Sequence, residues 1–232
     1  MTLFVKNLGV SYGRITAVKD LSFSIAPGES LALLGPNGAG KTSAVESIAG
    51  LIPKAAGSVV FDGVDLTGRS ADQIVKKGIA LVPQWRELFP SFSVHETLLA
   101  AVGAARHRQP VKLDTIYEYF PALSLRKNQA AGSLSGGEQQ MLAIGRALVT
   151  NPRIILLDEP SAGLAIGIAR SLVGILSRIR DSGVGLLVVE QNLELARSLA
   201  TSCVVLAAAT TRWRGEIDHA LHSDELRRAY FE

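Results

Sequence analysis

Eight consecutive residues follow the order of a loop that binds phosphate groups: glycine, four variable residues, then glycine, lysine and a hydroxyl side chain. They are Gly35, Pro36, Asn37, Gly38, Ala39, Gly40, Lys41 and Thr42. Glycines let the backbone turn successive N–H groups towards phosphate oxygens, and a helix after the loop adds the positive end of its dipole. Lys41 would place its charge on the β- and γ-phosphates, and the Thr42 hydroxyl would ligate Mg²⁺. We therefore expect a nucleotide-binding loop, with Ser43 as a further contact, and not a plain glycine turn.

Two adjacent carboxylates follow a second apolar run. Residues 154–157 read Ile-Ile-Leu-Leu, and Asp158 and Glu159 come directly after them. Carboxylates at the end of a buried strand are costly unless they meet a cation or a reacting group. Asp158 is therefore predicted to hold Mg²⁺ through water, and Glu159 to accept a proton from the water that attacks the γ-phosphate. The alternative, a strand that ends in a solvated acidic turn, is disfavoured by the phosphate loop in the same chain.

A serine–glycine turn at residues 134–138 precedes a predicted helix over residues 139–149. Such a turn at a helix N-terminus is a second potential anion site. The residues predicted to contact nucleotide there are Ser135, Gly136, Gly137 and Glu138. Because one chain carries a single phosphate loop beside this second turn, we expect nucleotide to lie between two such subunits. A plain helix cap is the alternative for this segment read alone.

Alternating strands and helices are expected to position these residues. Short strands are predicted at residues 3–10, 21–25, 30–34, 58–61, 79–82, 154–157 and 185–189. Helices are predicted at residues 41–51 and 168–180, and residues 93–149 read as mostly helical. This alternation predicts an α/β fold with a mainly parallel sheet covered on both faces.

Length and composition favour one globular domain with a small subdomain. The chain has 232 residues, of which 47% are hydrophobic and 19% charged. Its formal net charge of +3 is too small to argue for nucleic acid as a partner. The single cysteine, Cys203, has no partner for an internal disulfide, which favours a reducing cytosolic environment. No signal peptide is recognisable and no apolar run approaches the roughly 18 residues that cross a bilayer, so we expect a soluble protein.

Together these segments resemble the ATP-binding cassette family over nearly the whole chain. Residues 35–42 correspond to the Walker A loop, residues 154–159 to the Walker B strand and residues 134–138 to the signature sequence. The resemblance implies a phosphate-loop NTPase with a RecA-like core, an N-terminal antiparallel β subdomain and an inserted α-helical subdomain. Residues 1–232 would form a single nucleotide-binding domain, with the helical subdomain at about residues 85–149. ATP and Mg²⁺ are the implied substrate and cofactor.

The resemblance also implies roles for single residues. Tyr12 would stack on adenine, although a half-buried strand aromatic is the alternative. Gln84 would reach Mg²⁺ and the attacking water, and would relay closure of the subunit to a membrane partner. Ser135 and Gly137 would contact the γ-phosphate held by the opposite subunit.

Two positions depart from the general family pattern. Ala165 stands where an aspartate is usual, and Gln191 stands where a histidine is usual. A glutamine can donate a hydrogen bond to the γ-phosphate but carries no charge, which leaves Glu159 as the plausible base. Both departures, and the ending at residues 226–231, are similar to the ATPases of branched-chain amino-acid importers. Residues 206–215 lack the acidic-Asn-Gly hairpin sequence that is usual there.

The resemblance implies an ATPase that drives import of a small solute. Its partners would be transmembrane permease subunits, a second ATPase and an external solute-binding protein, with the chain peripheral on the inner face of the membrane. A translation-type cassette protein would need two cassettes and a chromosome-organising one long heptad arms, and this sequence has neither. A cytosolic assembly factor or scaffold, and a cassette that binds ATP without hydrolysing it, are the alternatives.

Overall fold

One twisted sheet forms the centre of the molecule in the computed structural model, which describes residues 2–105 and 108–222. Ten strands belong to this sheet within those ranges. They are β1 (Leu3–Tyr12), β2 (Ile15–Ile25), β3 (Ser30–Leu34), β4 (Ala56–Phe61), β5 (Val64–Asp65), β6 (Ile79–Val82), β7 (Ile154–Asp158), β8 (Gly185–Glu190), β9 (Ser202–Ala207) and β10 (Thr210–Glu216). The helices in the same ranges are α1 (Lys41–Ile48), α2 (Ala71–Lys77), α3 (Val94–Ala104), α4 (Leu113–Tyr119), α5 (Pro121–Ser124), α6 (Gly136–Val149), α7 (Ile166–Asp181), α8 (Leu193–Leu199) and α9 (Ile217–Leu221).

The strand order is β5-β4-β1-β2-β10-β9-β3-β8-β7-β6. Strands β1, β2, β4 and β5 pair antiparallel with their neighbours in the N-terminal half. Strands β9, β3, β8, β7 and β6 are parallel to one another. The predicted α/β fold, with an antiparallel N-terminal part and a mainly parallel core sheet, is confirmed.

The register of the parallel strands brings the predicted chemical groups to one edge of the sheet. Leu34, the last residue of β3, lies opposite Glu190 at the end of β8. Asp158, the last residue of β7, lies opposite Val189 of β8. Because parallel strands end at a common edge, the loops after β3, β7 and β8 are neighbours, as ligand sites of open α/β sheets require.

The core strands are buried because their side chains are apolar on both faces. All five residues of β7 and all six of β8 are buried. Ile155 and Leu157 pack on one face with residues of α3, α6 and α7, whereas Ile154 and Leu156 pack on the other with residues of α1 and the N-terminal strands. Burial on both faces explains why these strands read as continuous apolar runs instead of alternating ones.

Helices α3 to α6 lie between β6 and β7, in the stretch that the sequence predicted to be mostly helical. Two of them begin at capping boxes, where a serine side chain accepts a backbone N–H and a glutamate three residues later accepts the serine N–H. Ser93 and Glu96 form the first, and Ser135 and Glu138 the second. The caps fix where α3 and α6 start and therefore where the signature turn lies.

Residues 206–215 form a hairpin despite the missing Asn-Gly signal. Strands β9 and β10 pair antiparallel, with Thr210 opposite Ala207. The two connecting residues, Ala208 and Ala209, have φ angles of 48° and 62°. A two-residue turn of this kind requires positive φ at both positions, where asparagine and glycine are preferred. The sequence did not predict β9 and β10 because alanine gives no turn signal.

Replacing both turn residues is expected to stabilise the protein. A side chain in the left-handed region costs about 1–2 kcal/mol per residue, so Ala208→Asn with Ala209→Gly should recover roughly that much. For a chain of this length we expect a rise of about 2–8 °C in Tm by calorimetry. The control is Ala100→Gly on the exposed side of α3, which should lower Tm because helical φ gives glycine no advantage. An unchanged or lower Tm in the double variant would contradict the role assigned to this turn.

The C-terminal residues 226–231, used above for the importer resemblance, lie outside the described residues. Among residues 2–105 and 108–222, no helix combines the length and the apolar character that crossing a bilayer requires.

Candidate functional site

The phosphate loop connects the buried strand β3 to helix α1, as predicted. Gly35 has a φ of 151°, and a Cβ there would lie 2.0 Å from the Leu206 carbonyl oxygen. Gly40 has a φ of 103°, and a Cβ there would lie 2.0 Å from the Ala17 carbonyl oxygen. Both positions therefore exclude any side chain, which is the physical reason for glycine at the two ends of the loop.

Lys41 lies inside the curve of this loop. Its side chain is 4% exposed, and Nζ donates hydrogen bonds to the carbonyl oxygens of Gly35 at 2.8 Å and Pro36 at 3.0 Å. The same Nζ lies 3.7 Å from Oε1 of Glu159. Burial lowers the pKa of Lys41, while the Glu159 and Asp158 carboxylates act in the opposite direction. The ammonium group is thus held in the loop by groups that phosphate oxygens can replace.

Asp158 is a buried carboxyl group with an unused oxygen. The residue is 2% exposed and its Oδ1 has no hydrogen-bond partner within the described chain. Burial raises the pKa of Asp158 to about 6, although a hydrogen bond with the Thr42 side chain opposes the rise. An unsatisfied carboxylate oxygen beside a threonine hydroxyl fits the oxygen ligands that Mg²⁺ prefers.

Glu159 receives hydrogen bonds from two predicted site residues. Gln84 Nε2 donates to its Oε2 at 2.9 Å, and Gln191 Nε2 donates to its Oε1 at 2.6 Å. Gln191 Nε2 also donates to Oδ1 of Asn37 in the phosphate loop. The φ of Glu159 is +47°, an uncommon backbone conformation for a residue with a side chain, and one often found at functional sites. The three residues predicted to act in catalysis therefore meet at one carboxylate.

Tyr12 lies at the end of β1, beside the start of α1. Its hydroxyl donates a hydrogen bond to Oγ of Ser43 at 3.3 Å, and its side chain is 48% exposed. The ring thus lies near the phosphate loop and is about half exposed. That position is compatible with adenine stacking, which stays a prediction.

Removing the Tyr12 ring is expected to weaken ATP binding. Loss of aromatic–base stacking costs about 1–3 kcal/mol, so Tyr12→Ala should raise the Kd for ATP by roughly fivefold to a hundredfold. Tyr12→Phe removes only the hydrogen bond to Ser43 and is the matched control, while Tyr12→Trp keeps a stacking surface. Both should bind ATP nearly as the parent does in equilibrium titrations. Parent-like affinity of Tyr12→Ala, with an unchanged Tm, would leave Tyr12 as a strand aromatic only.

The signature residues form the exposed N-terminus of α6. Ser135 donates from its N–H at 2.9 Å and from its Oγ at 2.8 Å to Glu138 Oε2, and Glu138 pairs with Arg126 at 2.6 Å. A Cβ on Gly137 would lie 2.6 Å from Cγ2 of Ile168 in α7, so this glycine allows the two helices to approach. Within one chain these residues make a helix cap, and their predicted nucleotide contact would be to another subunit.

Two residues that the sequence did not single out connect the predicted parts of the site. Arg86, two residues after Gln84, donates from Nε to Gln140 Oε1 at 3.0 Å and so joins the Gln84 loop to α6. Glu190 ends the fully buried strand β8 and accepts backbone N–H groups from two loops. The reasoning that identified Asp158, a carboxylate ending an apolar strand, would have identified Glu190 as well. Nothing in the sequence pattern indicated Arg86.

This constellation of phosphate loop, buried aspartate and adjacent glutamate defines a phosphate-loop ATPase. The model of the ABC transporter family matches residues 18–162. The chain is 41% identical to the high-affinity branched-chain amino acid transport ATP-binding protein BraG of Pseudomonas aeruginosa, over 84% of each chain. It is 32% identical to the lipopolysaccharide export system ATP-binding protein LptB of Escherichia coli K12, over 99% of this chain and 96% of that one.

The similarity of the fold to a solved structure indicates the same family. A crystal structure of an ATP-binding cassette of an ABC transporter, in its ADP conformation, superposes with a TM-score of 0.87. The two chains are 26% identical, and the match covers 99% of this chain and 98% of the other. The protein belongs to the ABC transporter family, and it is an ATP-binding, ATP-hydrolysing subunit of a transporter. The predicted family and enzyme class are confirmed.

Proposed function

We propose that this ATPase drives the import of branched-chain or related amino acids. The observation that carries the proposal is the 41% identity with BraG over 84% of both chains. The departures at Ala165 and Gln191 support it, because they are similar to the pattern of that subgroup. The solute does not contact the cassette, so the support comes from relatedness and not from a solute pocket.

Lipopolysaccharide export is the second candidate. The similarity to LptB extends over 99% of this chain, although the identity is lower, at 32%. An importer and an exporter can share one ATPase design because the cassette supplies the energy and its membrane partner selects the cargo. The lower identity places this candidate after amino-acid import.

The chemistry that we propose uses the residues gathered around Glu159. The N–H groups of the loop from Gly35 to Thr42, together with Lys41, would bind the phosphates of ATP. Mg²⁺ would be held by Thr42, Asp158 and Gln84, and would neutralise charge on the phosphate oxygens. Glu159 would accept a proton from the attacking water. Gln84 and Gln191, which hydrogen-bond the two oxygens of Glu159, would fix the direction of that carboxylate.

We propose that residues 1–232 act as one nucleotide-binding domain, with an inserted helical subdomain at about residues 85–149. A second ATPase, either a copy or a relative of this chain, would close against it head to tail. Ser135, Gly136, Gly137 and Glu138 of each subunit would then face the nucleotide held by the other. Ser135 and Gly136 are exposed at the N-terminus of α6, and Gly137 and Glu138 are partly exposed beside them, which supports contact with such a partner.

The proposed permease contact lies beside the Gln84 loop. Trp85, directly after Gln84, is 84% exposed. Phe89, in the segment between β6 and α3, and Leu99, on α3, are exposed as well. Phe89 also borders an apolar groove whose lining includes Ala101 and Arg146. Exposed large apolar side chains beside a groove are typical of a surface that meets a partner. We propose that a permease subunit binds this surface and that the chain lies on the cytoplasmic face of the membrane. The same system would include an external solute-binding protein.

Uptake measurements test this proposal. In cells that lack the chain, entry of radiolabelled leucine, isoleucine and valine should fall, and the parent gene should restore it. The Lys41→Ala variant should not restore it, and uptake of an unrelated sugar is the control. Normal amino-acid uptake together with lipopolysaccharide retained inside the cell would support the export candidate instead. A chain that never co-purifies with a permease would support an assembly factor or scaffold.

A further inference from the structure

Glu190 is a buried acid that the proposed chemistry does not use. It is the last residue of β8, and its side chain is 2% exposed. Strand β8 lies between β3, which leads into the phosphate loop, and β7, which leads to Asp158 and Glu159. A carboxylate in such a place is costly to bury unless hydrogen bonds satisfy it. Every other residue of β8 is apolar or glycine, so strand packing alone would favour an apolar residue here.

The hydrogen bonds of Glu190 reach two different loops. Its Oε1 accepts the backbone N–H of Ser161 at 3.1 Å, in the loop that follows Glu159. Its Oε2 accepts the backbone N–H groups of Gln191 at 3.3 Å and Asn192 at 3.4 Å, at the start of the loop before α8. Burial raises the pKa of Glu190, and a hydrogen bond with the Ser161 side chain, followed by those with the backbone N–H groups, opposes that rise. One carboxylate therefore links the end of β7 to the end of β8.

The two linked loops carry side chains that meet above the sheet. Glu159 lies two residues before Ser161, and Gln191 lies directly after Glu190. Gln191 Nε2 donates to Glu159 Oε1 at 2.6 Å, and the Glu159 N–H donates to the Val189 carbonyl at 3.0 Å. The relative position of the two loops thus determines whether this contact can form.

We propose that Glu190 is a positioning residue for ATP hydrolysis: its carboxylate fixes the Ser161 loop against the Gln191 loop so that Gln191 can orient Glu159. The role follows from the division of its two oxygens between the two loops. A glutamine at this position would offer one acceptor oxygen and one N–H₂ group, and the latter cannot accept a backbone N–H. Glu190→Gln therefore releases one loop while keeping size and shape.

The alternative is that Glu190 only completes the end of β8. In that case its loss would lower stability and would act on hydrolysis independently of Gln191. The two roles differ in a double-mutant cycle, because residues that act through one another give effects that do not add. The inference rests on the proposed roles of Glu159 and Gln191 in ATP hydrolysis and not on the identity of the solute.

The experiment measures steady-state ATPase rates of the assembled complex for Glu190→Gln, alone and combined with Gln191→Ala. Glu190→Gln is expected to lower kcat by about tenfold, the scale of one lost charge-assisted hydrogen bond, with KM for ATP changed less than about twofold. In the Gln191→Ala background the further loss should be less than about threefold. Glu194→Gln, which neutralises an exposed acid on α8, is the matched control and should leave kcat unchanged.

Glu190→Asp is a second variant, to be measured in case Glu190→Gln does not fold. It retains the charge but is one methylene shorter, so it cannot span the two loops equally, and it should show the same fall in kcat and the same non-additivity. An equal fold-loss in both backgrounds would overturn the proposal. A parent-like kcat together with a lower Tm would also overturn it, in favour of the strand-end role. Neither outcome depends on whether amino-acid uptake is confirmed.

Discussion

Glu159→Gln is expected to lower ATP hydrolysis by about a hundredfold or more while ATP remains bound, because a general base contributes roughly 10²–10⁴ to the rate. Glu159 receives hydrogen bonds from the side-chain amides of Gln84 and Gln191. In the variant, the N–H₂ group of the new side chain would face one of these donors and could not accept its hydrogen bond. With ATP retained, the variant should remain in a closed pair with a partner cassette. Single-turnover hydrolysis in the assembled complex, with ATP binding measured in parallel, gives both quantities.

Gln191→Ala is the comparison for that variant. It removes one neutral hydrogen bond, worth about 0.5–1.5 kcal/mol, so the rate should fall by roughly threefold to tenfold. If Gln191→Ala were as inactive as Glu159→Gln, the glutamine would be a catalytic partner in its own right and not only an aid to the orientation of Glu159.

Lys41→Ala is expected to abolish detectable ATP binding or to lower hydrolysis by about a hundredfold, the scale on which loss of one preorganised group at a reacting centre acts. The fold should survive, because Nζ hydrogen-bonds the loop carbonyls of Gly35 and Pro36 and pairs with the Glu159 carboxylate, all of them groups of the candidate site and not of the apolar core. ATP titration and steady-state phosphate release are the measurements.

Lys54→Ala is the matched control for that variant. Lys54 is partly buried just beyond α1, its pKa is lowered by burial, and its Nζ donates to the Ser47 carbonyl at 2.8 Å. It therefore repeats the chemistry of Lys41 at a place away from the phosphate loop. Equal loss of ATP binding in the two variants would show that the Lys41 effect is structural, and parent-like activity of Lys41→Ala would remove the assignment of the loop.

The core of the fold was predictable because its strands are buried on both faces. The bounds predicted for residues 30–34 and 79–82 are those observed for β3 and β6. Strand β7 extends one residue further than predicted, to Asp158, and β8 one residue further, to Glu190. In each case the apolar run predicted the strand, and the carboxylate that ends it was read as outside the strand.

Elements with exposed faces were harder to predict. Strand β2 begins at Ile15, six residues before the predicted start, because residues 15–20 alternate little and include exposed polar side chains. Strand β10 carries polar and charged residues on its open face, and the Ala208–Ala209 turn has no glycine or asparagine. Helix α1 ends at Ile48, three residues before the predicted end, where Gly50 adopts a positive φ.

The sequence predicted the candidate site as a set of separate motifs, and the structure shows which of their side chains are in contact. The meeting of Gln84, Glu159 and Gln191 joins residues far apart in sequence, which no local pattern could place. The hydrogen bonds of Lys41 to the loop carbonyls are likewise a property of the folded loop, which the motif alone does not show. Arg86 was missed because an arginine in a loop has no distinctive spacing.

We propose that this chain hydrolyses ATP with Glu159 as the base. The most direct test is the rate of phosphate release by the assembled complex over a series of ATP concentrations, for the parent and for Glu159→Gln. We expect saturable release by the parent and, in Glu159→Gln, bound ATP with release lowered by about a hundredfold or more. A parent that binds ATP and releases no phosphate, or a Glu159→Gln variant that releases it at the parent rate, would contradict the role of Glu159 as the base of an active ATPase.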